Sequence, residues 1–155
     1  MKNLIAFSLA ALLVASCQKN KALEQKTNID VCPQGNTVVK VDAGYQTLVG
    51  DWTWQKSELV RRGAGTSIET PATTGTTKRF RFNADKTYQF FEAQTIKESG
   101  TYQLRPFLND PILMLELTQN GQANGGVLIT LCDNGLILLG GANDAGPNGY
   151  YVRQQ

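Results

Sequence analysis

Few side chains in this 155-residue sequence can do chemistry, and they lie far apart. There is no histidine. That removes the Ser-His-Asp and Cys-His arrangements and the commonest metal ligand. The carboxylates Asp51, Glu58 and Glu92 are scattered, and nothing marks a paired acid and base. Asp144 and Asn148 offer oxygen atoms in a glycine-rich loop, but a calcium loop needs more carboxylates at regular spacing. Catalysis, a metal and an organic cofactor are therefore not expected. What remains is three thiols, Cys17, Cys32 and Cys132, and a set of aromatic rings.

Cys17 ends a leader. The chain opens Met1-Lys2-Asn3 and then runs apolar over residues 4–15. As a helix that run spans about 18 Å, at about 1.5 Å per residue, against a hydrocarbon core of about 30 Å. It is too short for a transmembrane helix and fits the apolar part of a cleaved secretory signal. Val14-Ala15-Ser16-Cys17 resembles the lipobox of bacterial lipoproteins, although leucine is commoner where Val14 stands. The resemblance implies a diacylglyceryl thioether on Cys17 and cleavage just before it. Residues 1–16 are then a lipoprotein signal peptide, and residues 17–28 the lipidated cysteine and a polar tether. An ordinary signal with an incidental cysteine is the alternative. Gln18-Lys19-Asn20-Lys21 carries no acidic residue, so surface display is not supported. The expected place is the cell envelope, held by lipid at the periplasmic face of the outer membrane. In that oxidising setting the even remainder, Cys32 and Cys132, suggests a disulfide; two unpaired thiols are the other reading.

Composition narrows the rest. The formal charge is +2, and Lys2 belongs to the leader. Such near-neutrality gives no reason to expect nucleic acid as a partner. Residues 29–155 hold one domain with an N-terminal extension. Aromatic and β-branched residues and Gly/Asn/Asp turns outweigh helix formers, and no stretch keeps a 3.6-residue period. The expected fold is all-β.

The elements follow from period two. Leu48, Gly50, Trp52 and Trp54 point one way, with Val49, Asp51, Thr53 and Gln55 opposite. A short β-prone run at 37–41 precedes them. Residues 61–77, rich in Gly, Thr and Ser, read as one long loop. Phe80 and Phe82 alternate with Arg79 and Arg81, and a turn at 83–86 returns the chain so that Tyr88 and Phe90 join their face. Tyr102 and Leu104 continue it. Residues 112–118 form another strand, with Asn120-Gly121 and Asn124-Gly125 as punctuation. Asp133-Asn134-Gly135 joins two more strands, and residues 150–153 close the chain. About eight short strands fit a small antiparallel up-and-down barrel.

These residues carry a family resemblance over about 48–155. Leu48-Val49-Gly50-Asp51-Trp52 matches the Gly-x-Trp first strand of lipocalins. The lipobox, the Phe82-to-Tyr88 hairpin, Ser99-Gly100-Thr101-Tyr102 and the final Tyr151-Val152-Arg153 resemble the bacterial lipocalin-like lipoproteins. The resemblance implies a lipocalin-like barrel in which Trp52 plugs one end and Arg153 lies across it. It implies no particular ligand. The 61–77 loop carries no lipocalin ligand motif, and there is little room after residue 153 for the C-terminal helix of larger lipocalins.

Trp54, Phe80, Phe82, Tyr88, Phe90 and Tyr102 are the candidate ligand-binding residues. An eight-stranded barrel can hold one small molecule, but so many bulky rings can also fill it. The basic residues Lys78, Arg79 and Arg81 read as a solvated strand face rather than an anion site. Two functions stay open. One is a non-enzymatic, lipid-anchored barrel that binds a small apolar or amphipathic ligand. The other is a filled barrel whose loops bind a protein partner as an inhibitor or assembly module.

Overall fold

The computed structural model describes residues 31–155 except 34–35, 62, 64, 109–111 and 141–145. Cys17, the 1–16 leader, the 17–28 tether and Asp144 lie outside the described residues.

Among the described residues nine strands and two short helices follow one another: α1 Val41–Leu48, β1 Gly50–Arg61, β2 Gly65–Glu69, α2 Pro71–Thr74, β3 Lys78–Phe82, β4 Thr87–Glu92, β5 Thr95–Pro106, β6 Leu113–Gln119, β7 Gln122–Leu131, β8 Gly135–Leu139 and β9 Asn148–Arg153. All described pairings are antiparallel. From β3 to β9 each strand pairs with the next, and β1 joins β3 to β9. The result is the expected all-β fold, a closed up-and-down barrel of eight strands. Closure removes the edges of the eight barrel strands.

The first strand is long because it serves three neighbours. Residues 50–53 pair with β3, residues 52–58 with β9, and residues 57–61 with β2. β2 is a ninth strand outside the barrel, with all five residues exposed. The 61–77 segment is therefore not one loop. It holds β2 and then α2, whose Thr70 cap accepts a hydrogen bond from Thr73 N at 3.2 Å and receives Pro71 at its first turn.

Two further expectations need correction. Residues 37–40 form no strand, and Val41 opens α1. An eight-residue helix is marginal alone, so its stability comes from packing. Leu48 is fully buried, Val41 and Tyr45 lie against the core, and Leu104 N donates to Tyr45 Oη at 2.9 Å. Asn120-Gly121 does make the β6–β7 turn, but β7 begins at Gln122, so Asn124-Gly125 sits inside a strand.

Period two also fails once, inside β1. Trp54 faces Tyr151 on β9, but the next matched pair is Lys56 with Tyr150. Gln55 is the extra residue of a bulge, and it switches the faces of the strand. Trp52 and Trp54 point inward. Beyond the bulge Ser57 is the inward residue, and Lys56 and Glu58 turn to the opposite face, where Lys56 is still buried.

Candidate functional site

One end of the barrel is closed by α1. Trp52 is 0% exposed, and its Nε1 donates to Leu48 O at 2.7 Å. Arg153 lies over it, with Cζ 4.4 Å from the ring centroid. The same guanidinium donates to Val49 O at 2.7 Å, to Thr47 O, and to Asp133 O at 2.9 Å. The last carbonyls of α1 are thus held by two side chains from the barrel, which satisfies acceptors that a helix end leaves open and sets a cation against its negative pole. Gly50 makes room for this. Its φ is +138°, and a Cβ there would stand 2.6 Å from Arg153 Nη1.

A strap reinforces the same end. Cys32 and Cys132 form a disulfide with Cα atoms 5.7 Å apart. Val38 N donates to Leu131 O at 2.7 Å. Gly135 lets the strap pass, since a Cβ there would meet Val31 O at 1.9 Å.

Above the closed end the barrel is packed. Phe82 meets Tyr102 edge-on at 5.1 Å and Tyr88 at 6.4 Å. Tyr102 Oη donates to Asn83 O at 2.9 Å, and burial pushes its phenol up to about 12. Tyr88 is different. It is fully buried, and its hydroxyl has no hydrogen-bond partner among the described residues. Burial first, and then the Glu98 charge, raise its phenol above the ordinary value. A buried hydroxyl without a partner costs about 1–3 kcal/mol. Tyr88→Phe keeps the ring and removes that cost, so its unfolding free energy should match or exceed the native value by about 1 kcal/mol. Urea denaturation checks this; a clear loss of stability would mean the hydroxyl has a water partner.

The other end opens into a cavity of about 270 Å³. Its apolar lining includes Phe80, Phe90, Leu138 and Tyr151. Ser57, Lys78 and Glu98 add polar groups. Burial pushes the Tyr151 phenol far above its usual range, so it stays neutral. A smaller cleft of about 70 Å³ shares Ser57 and Pro147 and runs along β1 and β2 past Leu59, Arg61, Ser67 and Glu69.

The candidate residues therefore separate by height. Phe80 and Phe90 line the cavity. Phe82, Tyr88 and Tyr102 pack in the core below and are not in that lining. Trp54 is 1% exposed and donates from Nε1 to Ser57 Oγ at 2.9 Å. It supports the cavity through Lys78, whose Nζ lies 4.7 Å from its ring centroid. Trp54 is thus as much a core residue as Trp52. Ser57, Glu98, Leu138 and Tyr151 are site residues that the sequence reading did not select. For Tyr151 and Leu138, alternation with their neighbours is the signal; for Ser57 the bulge hides it.

The basic strand face is also divided. Arg79 and Arg81 are outside, and both meet Asp51, Arg81 through two nitrogens at 3.0 and 3.2 Å. Their guanidinium carbons lie 4.0 and 5.9 Å from the Phe91 ring centroid. Lys78 is on the opposite face, inside the mouth. Beyond the bulge, Glu58 accepts from Lys56 Nζ and from Tyr150 Oη, each at 2.7 Å. Those two bonds, the lysine's first, hold its carboxyl below the usual range. Burial, and then Glu58, push the Tyr150 phenol up to about 12.

Comparison of the chain with protein-family models, with curated proteins and with solved structures returns no match in any of the three.

Proposed function

We propose that this protein is a lipid-anchored barrel of the bacterial cell envelope, similar in kind to the lipocalin-like lipoproteins, and that it holds one small amphipathic molecule at its open end. The cavity of about 270 Å³ carries this reading. It falls just below the roughly 300–1,000 Å³ of typical small-molecule sites, which suits a small ligand, and it combines apolar walls with a few polar groups, as such sites do. Binding rather than conversion fits its chemistry, because the described residues around it bring no nucleophile and base together. The anchor rests on Val14-Ala15-Ser16-Cys17 after a short apolar run.

Native mass spectrometry of the full-length protein from membranes tests the reading. The wild type should retain a small molecule, and Leu138→Trp, which fills the mouth, should lose it at an unchanged melting temperature. Identical masses for the two, with no melting shift from a panel of small amphipaths, would reject it. One observation favours a second reading. Val60 and Ile68 are exposed apolar side chains on the β1–β2 extension, beside the unpaired edge of β2. An empty wild type that crosslinks to an envelope protein, and stops doing so in Val60→Asp, would make that extension the working surface.

A further inference from the structure

Two charges face into the mouth of the barrel. On β3, Lys78 shares the inner face with Phe80 and Phe82. On β5, Glu98 shares it with Tyr102 and Leu104. Both line the cavity, and no ion pair joins them. The ammonium of Lys78 instead rests over the Trp54 ring, and the Glu98 carboxylate makes no hydrogen bond or ion pair among the described residues. The outer face contrasts with this. There Asp51 meets Arg79 and Arg81, Glu58 meets Lys56, and Glu116 meets Arg105.

Register explains why the inner pair stays apart. Phe80, Phe90 and Glu98 lie in one row across β3, β4 and β5. Lys78 is two residues nearer the mouth. Its backbone is therefore about 10 Å across the sheet and about 7 Å along it from that of Glu98. Trp54 draws the ammonium toward β1, away from β5, and the apolar ring of Phe90 occupies the strand between. A cation and a carboxylate thus stand on opposite sides of an apolar floor, half-buried and each without an ionic partner among the described residues.

We infer that the ligand is bipolar: a short apolar body with an anionic group that meets Lys78 and a cationic group that meets Glu98. This rests on the proposal that the cavity binds a small molecule, and it adds the charge pattern. An apolar ligand would cover both charges without pairing them, which is costly in a partly desolvated site. A bipolar one replaces lost water with charge-assisted hydrogen bonds at both ends.

Four probes of similar length separate the alternatives: ε-aminocaproate, hexanoate, hexylamine and hexanol. They are titrated into the full-length protein in lipid nanodiscs, with empty nanodiscs as control, by calorimetry and tryptophan emission. ε-Aminocaproate should bind at least about tenfold tighter than hexanol, with the two singly charged probes between. Lys78→Gln should reduce ε-aminocaproate to the level of hexylamine, Lys78→Arg should retain its affinity, and Glu98→Gln should reduce it to the level of hexanoate. Neither position is part of the packed core, and melting curves verify that the variants fold. Hexanol binding as tightly as ε-aminocaproate, unaffected by either change, overturns the bipolar ligand and leaves an apolar binding site. A preference for hexylamine alone, lost in Glu98→Gln, overturns it in favour of a cation site. Absence of binding by all four removes this inference; only the empty wild type described above removes the binding reading with it.

Discussion

Trp52→Ala is expected to lower the unfolding free energy by about 3–5 kcal/mol, the usual range for removing a large buried aromatic. Three losses combine. The ring vacates the packed volume above α1. Arg153 loses the face it rests on, a contact worth about 0.5–2 kcal/mol. Leu48 O loses its indole donor in a buried place. Trp52→Phe keeps most of the volume and removes the donor, so it should fall between the two. Because a domain of this size is stable by only about 5–15 kcal/mol, the alanine variant should be close to unfolded at physiological temperature. Urea titration followed by far-ultraviolet circular dichroism measures both. A loss under about 1 kcal/mol in Trp52→Ala would mean the closed end is not the keystone described here.

The second large effect concerns the disulfide. It spans 100 residues, and the loop-closure entropy of so long a ring corresponds to about 4.7 kcal/mol. Measured losses for removing native bridges run about 2–5 kcal/mol. The Cys32→Ala/Cys132→Ala double variant should lose that much, and so should the wild type in reductant. The loss should not be spread evenly. Amide exchange should quicken first at Val38, whose N–H bonds Leu131 O beside the bridge, and only later in the middle of the sheet. Equal denaturation midpoints with and without reductant would show that the bridge adds nothing to the fold.

Much of the barrel is readable from side-chain alternation, since a strand with one buried face must repeat every second residue. Phe80 and Phe82 against Arg79 and Arg81 is the plainest case, and the Asp133-Asn134-Gly135 turn marks its hairpin by turn chemistry alone. The parts that are not readable have physical causes. Gly65–Glu69 has no buried side, so it has no alternation; it is a strand only because β1 runs past the barrel and offers an edge. Val41–Leu48 spaces Val41, Tyr45 and Leu48 at helical intervals, but eight residues give the pattern one repeat, and tertiary contacts decide the outcome. The bulge at Gln55 depends on the register of β9, nearly a hundred residues later, so nothing local announces that Ser57 turns inward. Lys78 was within reach. It has the parity of Phe80 and Phe82, and grouping it with Arg79 and Arg81 by charge hides a lysine that enters the site.

The sulfur bridge also decides how the molecule carries load. A pull on the chain ahead of Cys32 does not travel through α1 into β1, the strand that seals the barrel. It passes across the bridge to Cys132, at the turn between β7 and β8. Covalent bonds take the tension there, ahead of α1. With the bridge reduced, the same pull would peel α1 from the barrel floor, strip Arg153 of its carbonyl partners and open the β1–β9 seam from its weakest direction. For a domain held by the N-terminal lipid anchor proposed above, two cysteines a hundred residues apart would guard the barrel against unzipping.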